Sequence, residues 1–450
     1  MLPDSVTPAI EAVAPVTRRF AAAGHRLYLV GGIVRDLLAG RPVRRQDLDL
    51  TTDAEPSVVK ELVAPVASSL WTQGERFGTI GCIVEGQDLE ITTHRAERYS
   101  GETRKPTVEF SDDVVADLSR RDFTVNAIAI EVTSEAPRLI DPFDGAGDLD
   151  ARVLRTPLDP VVSFSDDPLR MLRAARFVAG FQLRPVAELT AAVADMGDRM
   201  SIVSRERVRD ELVKLLALPD PTAGLEFLVD TGLLGVVLPD VAAKAELADR
   251  ADCHPNALTH AVAVVSLAAA SAAGRTARLV ELLVTPASLA PEPSGGDERL
   301  GGRLRSLRFS NDESAAAATV LRAQPARDAA LRDRTDASLR RFAVAARDDR
   351  AAVVELARAE SAARASVDGG ALGRRLDEVV ARLAELSAHE DLLAIAPELD
   401  GAAVMAALGI GPGPDVGAAL GYLSERRLEC GPRDVADELD DLSGWWARRA

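Results

Sequence analysis

The spacing of apolar residues changes character about a third of the way along the 450-residue chain. The N-terminal part contains short apolar or alternating runs typical of β-strands, at Leu27–Val30, Leu48–Thr51, Thr79–Val84, Leu89–Thr92 and Asn126–Val132. Helical spacing occurs between them, around Ile33–Leu38 and Pro56–Val63. The mixture predicts a small α/β domain.

From Asp166 onward, apolar residues recur at helical intervals almost everywhere, for example at Leu169, Leu172, Ala175 and Val178. Because this period lines one face of an α-helix, the rest of the chain is predicted to be all-α. Two Pro/Gly-rich stretches should interrupt the helices: Thr285–Gly296 has linker composition, and Pro412–Pro414 predicts a tight helix–helix turn.

Composition limits the class of protein. A chain of 450 residues exceeds one ordinary core, so several domains are expected. No run approaches the roughly 20 apolar residues that cross a bilayer, and the N-terminus lacks a signal core, so we expect a cytoplasmic protein without a membrane partner. Three widely spaced cysteines indicate neither a disulfide framework nor a zinc site.

The net charge of −17 argues against a broadly basic surface, which is the usual sign of nucleic-acid binding. Arginine and lysine residues nevertheless cluster locally, at Arg41, Arg44 and Arg45, at Arg95, Arg98, Arg104 and Lys105, at Arg120 and Arg121, at Arg170, Arg173 and Arg176, and at Arg205, Arg207 and Arg209. A basic cleft on an acidic body is compatible with this distribution.

Two aspartates, Asp47 and Asp49, flank one leucine at the start of a predicted strand. Alternate strand residues face the same side, so both carboxylates should meet one site while Leu48 and Leu50 point into the core. Mg²⁺ prefers oxygen ligands and usually binds through one or two carboxylates and substrate phosphates. The pattern predicts a Mg²⁺ site suited to nucleotidyl transfer. The alternative is the solvated face of a half-buried strand.

The pair Gly31-Gly32 follows another predicted strand and precedes a helix that starts near Ile33. Glycines allow close backbone approach, and a helix start directs free N–H groups at phosphate oxygens. Arg35 adds a cation nearby. A plain turn is the alternative for the glycine pair alone.

Two further clusters of charged residues follow. Arg120–Ala127 combines two cations, an acid and an amide able to hold a ribose or triphosphate, although a surface charge pair before a strand is the alternative. In the helical pattern after Asp166, arginines recur every third residue, as a phosphate path or as a solvated stripe. Asp167 and Arg170, one helical turn apart, could together recognise a base edge.

Together these stretches resemble the bacterial class II tRNA nucleotidyltransferases, the CCA-adding enzymes, and the related bacterial poly(A) polymerases. Leu29–Asp36 with Asp47–Asp49 is similar to the family's metal-binding motif, and Arg121–Ala127 to its ribose-binding motif. Ser165–Phe177 is similar to its nucleotide-selecting helix, and Leu399–Gly431 to the tail that binds the tRNA elbow.

The resemblance implies an α+β fold: an N-terminal nucleotidyltransferase (polymerase-β-like) α/β head, followed by an all-α neck, body and tail. The implied bounds are 1–140 for the head, 141–218 for the neck, 219–340 for the body and 341–450 for the tail. The implied metal ligands and catalytic residues are Asp47 and Asp49. The implied nucleotide-binding residues are Gly31, Gly32, Arg35, Arg121, Asp122, Asp167, Arg170, Arg173 and Arg176.

The implied activity is template-independent addition of C, C and A to the tRNA 3′ end from CTP and ATP, with release of pyrophosphate. Mg²⁺ is the implied cofactor, the partners are tRNA, ATP and CTP, and no DNA partner is expected. A poly(A) polymerase, an A-adding enzyme and a catalytically silent tRNA-binding protein are the alternatives. The oligomeric state is left open.

Three details qualify the resemblance. His254 and His260 are similar to remnants of an HD phosphohydrolase segment, but Leu282–Thr285 replaces its His-Asp pair, so we expect no such activity and surface or helix-face histidines. The segment His94–Asp113 resembles the flexible loop of CCA- and A-adding members, which favours complete CCA addition. Glu90 is a candidate third acid.

Overall fold

The computed structural model describes residues 2–41, 48–98, 107–248, 253–268, 271–284, 296–364 and 369–449. The chain forms two compact units, Met1–Val203 with Asp230–Leu233, and Ser204–Val229 with Leu234–Ala450. The four-part division stays a prediction. Several predicted features lie outside the described residues, namely Asp47, Arg44, Arg45, Arg104, Lys105 and nearly all of the linker at 285–296.

The first unit is an α/β domain, as predicted. Its strands are β1 (Leu27–Val30), β2 (Leu48–Thr52), β3 (Ser69–Trp71), β4 (Thr79–Val84), β5 (Gln87–Thr93), β6 (Arg95–Arg98), β7 (Thr107–Phe110), β8 (Ala129–Glu131), β9 (Arg138–Ile140), β10 (Val153–Leu154) and β11 (Arg184–Pro185). Its helices are α1 (Thr7–Ala22), α2 (Gly32–Leu38), α3 (Pro56–Val63), α4 (Val114–Ser119), α5 (Gly145–Ala151), α6 (Pro160–Asp166), α7 (Leu169–Phe181) and α8 (Ala187–Met196).

Seven strands form one mixed sheet in the order β3-β4-β5-β2-β1-β8-β9. Strands β2 and β5 are parallel, and the other neighbours are antiparallel. Strands β6 and β7 form a separate antiparallel hairpin. The strand predicted at Asn126–Val132 is shorter than expected, because Thr124–Asn126 forms a 3₁₀ turn and the strand begins at Ala129.

Strand β1 is buried on both faces, and its alternating side chains separate two cores. Leu27 and Leu29 enter the larger core, which also contains residues of α1, α2 and α3. Tyr28 and Val30 enter a smaller core under α4, with Leu118 among its members. The face under α4 is also the face to which Asp49 belongs, since Tyr28 pairs with Thr51 of β2.

Among the described residues, the second unit contains helices and no strand, as the apolar spacing predicted. The helices are α9 (Arg205–Leu216), α10 (Thr222–Asp230), α11 (Leu233–Val237), α12 (Pro239–Ala242), α13 (Ala257–Leu267), α14 (Ala272–Leu283), α15 (Gly296–Ser306), α16 (Asn311–Asp333), α17 (Asp336–Ala346), α18 (Arg350–Ala363), α19 (Gly369–Ser387), α20 (Gly401–Leu408), α21 (Pro414–Cys430) and α22 (Val435–Ala447). The turn predicted at Pro412–Pro414 separates α20 from α21. No helix of the described part of the chain has the length and apolar character that a membrane span requires.

A buried ion triad joins three segments near the C-terminus. The carboxylate of Glu390, which follows α19, accepts hydrogen bonds from Arg340 Nε of α17 and from Arg427 Nη1 of α21, both at 2.8 Å. All three side chains are buried. Because each cation has the same carboxylate as its partner, the triad fixes α21 against α17.

A second buried cation organises the start of this unit. Arg278 of α14 is fully buried, and its guanidinium donates to the carbonyl oxygens of Leu216 (2.7 Å), Leu218 (2.5 Å), Pro219 (3.0 Å) and Ala268 (2.5 Å). These carbonyls lie at the C-terminal ends of α9 and α13, where helices leave acceptors unpaired. The cation also complements the negative ends of both helices.

We predict that Arg278→Met lowers the free energy of unfolding by about 3 kcal/mol, because buried carbonyls lose their charged donor. Chemical denaturation measures the change. The matched control is Arg275→Met on the exposed side of the same helix, expected to change stability by less than about 0.5 kcal/mol. Equal losses in the two variants would contradict a capping role for Arg278.

Candidate active site

The glycine turn between β1 and α2 brings a cation and a carboxylate together. Gly31 has φ 75° and ψ −136°, a backbone conformation that favours glycine. A Cβ built on Gly31 would lie 2.9 Å from Arg121 Nη1 and 3.8 Å from Asp49 Oδ2. The missing side chain therefore leaves room for both groups, and Asp49 lies beside the glycine turn as the sequence predicted.

Two acids from neighbouring strands enter one cavity. Asp49 of β2 and Glu90 of β5 are register partners in the parallel pair, and both are exposed. Both line a cavity of about 300 Å³, together with Val30, Leu50, Thr92, Asp117, Arg120 and Arg121. Asp47, the other predicted metal ligand, lies outside the described residues.

The donor chemistry of this cavity fits a divalent cation such as Mg²⁺. Asp49 and Glu90 supply hard oxygen donors, and Mg²⁺ commonly takes one or two carboxylates and completes its shell with phosphates and water. Within the described ranges, no cluster of three or more His, Cys, Asp or Glu residues could hold a metal. The fit therefore rests on two carboxylates and a phosphate-bearing ligand.

Arg121 is held by an acid that sequence reasoning missed. Its Nη2 donates to Asp117 Oδ2 at 3.3 Å, across four residues at the end of α4. The i,i+4 spacing of an acid and a base was the available signal, because such residues are neighbours on a helix. Asp117 thus orients the Arg121 guanidinium toward Gly31.

A chain of hydrogen bonds connects the glycine turn to α7. Arg35 Nη1 of α2 donates to Asn126 Oδ1 at 2.7 Å, and Asn126 Nδ2 donates to Asp122 Oδ1 at 2.8 Å. Arg173 of α7 donates to Asp122 Oδ2 through Nη2 at 2.6 Å and Nε at 3.0 Å. Burial would raise the pKa of Asp122, but Arg173 and Asn126 outweigh it and hold the pKa below its usual value.

Besides its hydrogen bonds, Arg35 packs against an aromatic ring of α7. Its guanidinium carbon lies 4.0 Å from the centroid of the Phe181 ring, and that of Arg41 lies 4.2 Å from the same centroid. Burial lowers the pKa of Arg35, and the neighbouring Asp36 opposes the shift. Sequence reasoning missed Phe181, although Phe177 and Phe181 form an aromatic pair at helical spacing. The ring clamps α7 to α2 through cation–π contacts.

The stripe of arginines predicted on α7 is present. Arg170, Arg173 and Arg176 are half-buried, while the residues between them are buried. Asp167 occupies the extended junction between α6 and α7, and its Oδ1 accepts a hydrogen bond from Leu169 N at 3.2 Å. Arg170 donates to Ser163 Oγ at 2.8 Å and to the Arg120 carbonyl. Asp167 and Arg170 therefore both lie at this junction, and their base-reading role stays a prediction.

His254 and His260 of the second unit were expected at the surface or on a helix face, and neither side chain is exposed. His260 lies on α13 but is only 2% exposed, so its face of the helix is buried. His254 is half-buried, with Nε2 3.2 Å from the Ala363 carbonyl oxygen. The rings lie 5.2 Å apart edge to face. The available signal for the burial of His260 was the helical spacing that it shares with the buried residues Ala257, Ala261 and Val264.

Two family descriptions match this chain. Residues 27–155 match the Poly A polymerase head domain, and residues 180–244 match the Probable RNA and SrmB-binding site of polymerase A. The first match contains the glycine turn, the strands that carry Asp49 and Glu90, and Arg35, Asp122 and Asn126, whereas Arg173 lies beyond it.

Two curated relatives are both named CCA-adding enzyme. A CCA-adding enzyme of Lactobacillus gasseri is 38% identical over 52% of this chain and 55% of its own length. A CCA-adding enzyme of Lacticaseibacillus paracasei is 35% identical over 63% of this chain and 66% of its own length. The chain spans about half the length of the first of these relatives.

Solved structures match over more of the chain. The CCA-adding enzyme of Bacillus stearothermophilus in complex with CTP has a TM-score of 0.72 at 24% identity and covers 99% of both chains. The Thermotoga maritima CCA-adding enzyme complexed with tRNA has a TM-score of 0.61 at 20% identity, covering 96% of this chain and 94% of that chain. At these identities the likeness shows the fold. The sequence matches show that the part of the chain from residue 27 to residue 244 belongs to the family of poly(A) polymerases and CCA-adding enzymes, and the solved structures show that the chain shares their fold.

Proposed function

We propose that this protein is a template-independent tRNA nucleotidyltransferase that adds C, C and A to the tRNA 3′ end from CTP and ATP and releases pyrophosphate. One observation carries the proposal: Asp49, Glu90 and Arg121 line a single cavity beside the glycine turn. Paired acids and a cation at one opening suit a triphosphate with its metal. The relatives' name, CCA-adding enzyme, supports the choice of reaction.

The metal is proposed to be Mg²⁺, held by Asp47 and Asp49 with Glu90 as the third acid. When bound, it would lower the barrier by activating the tRNA 3′ hydroxyl and neutralising the leaving pyrophosphate. Arg121, which lines the same cavity, would bind the ribose or phosphates. Gly31 and Gly32 would let the triphosphate approach the backbone.

The residues of α7 are proposed to select the nucleotide. Cytosine and adenine each present an amino donor beside a ring-nitrogen acceptor, whereas uracil and guanine present a carbonyl beside an N–H donor. A carboxylate accepts and a guanidinium donates, so Asp167 and Arg170 together complement C and A but not U and G. Arg35, Arg173 and Arg176 would add positive charge along the path of the phosphates.

The long helical remainder is proposed to bind tRNA, with the tail over residues 341–450. A narrow basic strip suffices for this, since phosphate contacts depend on local cations more than on net charge. The runner-up function is poly(A) or single-A addition. It is favoured by the description of the matched head domain, which names poly(A) polymerase. CCA addition, poly(A) addition and single-A addition all use the same nucleotidyl transfer in the head domain. The length of the product therefore distinguishes the three activities.

We predict that a tRNA lacking CCA, incubated with CTP, ATP and Mg²⁺, grows by three nucleotides and stops. Each nucleotide is also supplied singly, and UTP and GTP should give no product. Denaturing gels measure the length. A long A tract would favour poly(A) polymerase, extension by one A would favour an A-adding enzyme, and tRNA binding without extension would favour a silent binding protein.

Asp49→Asn is predicted to lower incorporation by about 100- to 1,000-fold, because a charged oxygen donor becomes a neutral amide. Its tRNA affinity, measured by filter binding, should stay within about threefold. Glu61→Gln, an exposed acid on α3, is the matched control and should retain wild-type incorporation. Full activity in Asp49→Asn would reject the metal assignment.

Gly31→Ala is predicted to lower incorporation at least about tenfold, because its Cβ would displace the Arg121 guanidinium. Gly24→Ala is the control for backbone strain: Gly24 has φ 78°, close to the 75° of Gly31, but open space around the added Cβ. Both variants should lose about 1–3 kcal/mol of stability. Equal activities would show that strain alone, and not the site contact, explains the effect.

A further inference from the structure

His94 occupies the junction between the large sheet and the hairpin. It follows β5 directly and precedes β6. Its N–H donates to the Thr52 carbonyl at 2.7 Å, and its own carbonyl accepts from Ser111 N at 2.9 Å, just beyond β7. Both stems of the hairpin therefore meet β2 at this residue.

The hydrogen bonds of the buried His94 ring determine its tautomer. Nδ1 lies 2.8 Å from Thr51 Oγ1, and the Thr51 hydroxyl donates to the Thr92 carbonyl at 3.0 Å. Since that hydroxyl hydrogen is already used, Nδ1 carries the ring hydrogen and donates to Thr51. Nε2 is then an acceptor.

Two buried atoms on one side of β2 have complementary hydrogen-bonding groups: His94 contacts Thr51, and Arg121 lies beside Gly31 and Asp49, which faces the same side of the strand as Thr51. His94 Nε2 and Arg121 Nε are both buried, and neither has a hydrogen-bond partner in the part of the chain that the structure describes. One is an acceptor and the other a donor. The remaining arms of the Arg121 guanidinium are placed, with Nη1 at Gly31 and Nη2 on Asp117. Buried groups of this kind are commonly satisfied through one ordered water.

We propose that His94 is a positioning residue for Arg121, joined to Arg121 Nε through one ordered water molecule. The inference rests on the proposed role of Arg121 in nucleotide binding. The guanidinium is then oriented from three sides, by Gly31, Asp117 and His94. Because His94 also begins the hairpin, a displacement of the hairpin stems would reach Arg121 through this contact.

Burial favours the neutral form of the His94 ring. Burial is the largest influence and lowers its pKa, Arg26 and Arg121 lower it further, and Asp117 and Asp53 oppose them. Tyr28 contributes its ring, 5.5 Å away between centroids. Protonation would place a hydrogen on His94 Nε2, so that Nε2 and Arg121 Nε would both be hydrogen-bond donors with no acceptor between them. Nucleotide affinity should therefore weaken as the pH falls below the usual histidine range.

The test measures CTP and ATP binding to the full chain with Mg²⁺ by calorimetry, alongside KM and kcat for addition to tRNA. His94→Phe keeps the ring volume but has no acceptor, and we expect it to raise Kd and KM about 5- to 10-fold with kcat within about threefold. His94→Gln can place an acceptor near Nε2 and should recover most of the affinity. His94→Gln is also the variant to be measured if His94→Phe does not fold.

A double-mutant cycle makes the test specific. In an Arg121→Ala background, His94→Phe should change nucleotide affinity no further, because the positioned group is gone. An equal effect in both backgrounds, or unchanged affinity in His94→Phe, would overturn the proposal. The wild-type advantage over His94→Phe should also shrink as the pH falls below about 6.5, and a constant ratio down to about pH 5 would count against it.

These outcomes are separable from the proposed function. Wild-type protein that binds CTP and ATP but extends no tRNA would reject the nucleotidyltransferase proposal and leave the affinity comparison of the His94 variants intact. Normal CCA addition combined with an unaltered nucleotide affinity in His94→Phe would reject the His94 proposal alone.

Discussion

The carboxylate of Asp122 is the point on which the arrangement of the first unit depends. Burying an anion without partners costs several kcal/mol of folding free energy, so neighbouring groups must donate hydrogen bonds to it. Arg173 approaches one oxygen and Asn126 the other, and Asn126 in turn accepts from Arg35. The glycine turn and α7 are thereby tied to one short segment of chain. Removing any member would strand a charge in the interior instead of loosening a surface contact.

Buried arginine side chains connect separate secondary-structure elements in both units. In the second unit, Arg278 gathers carbonyls from the ends of two helices, and Glu390 joins Arg340 to Arg427. Each guanidinium has several donors in fixed directions, so it can fasten more than one element at a time. With aromatic residues at only 4% of the chain, large rings are scarce, and these polar contacts supply specificity that a ring-rich core would provide by shape.

Local features were predictable from sequence where the signal itself is local. Helix α3 and strand β4 have the bounds that periodicity indicated, and Asp49 lies beside the glycine turn because both belong to one short motif. Register between distant segments was not predictable. Glu90 pairs with Asp49 across a parallel strand pair, and no apolar pattern encodes which strands become neighbours. The 3₁₀ turn before β8 was missed because side-chain bonds of Asn126 override strand propensity. Helix α1 was overlooked although Ala9, Val13, Val16 and Phe20 have helical spacing.

The strand order of the large sheet has a consequence for how the protein responds to heat. Strand β2 lies in the middle of the order β3-β4-β5-β2-β1-β8-β9, with three strands on either side. Sheets open from their rims, where ladder bonds exchange most easily with solvent. Fraying at β3 or β9 would have to pass through intervening strands before it displaced Asp49. Local unfolding that starts at the edge strands therefore leaves Asp49 in place. The backbone amide protons beside Asp49 should be among the last in the sheet to exchange with solvent.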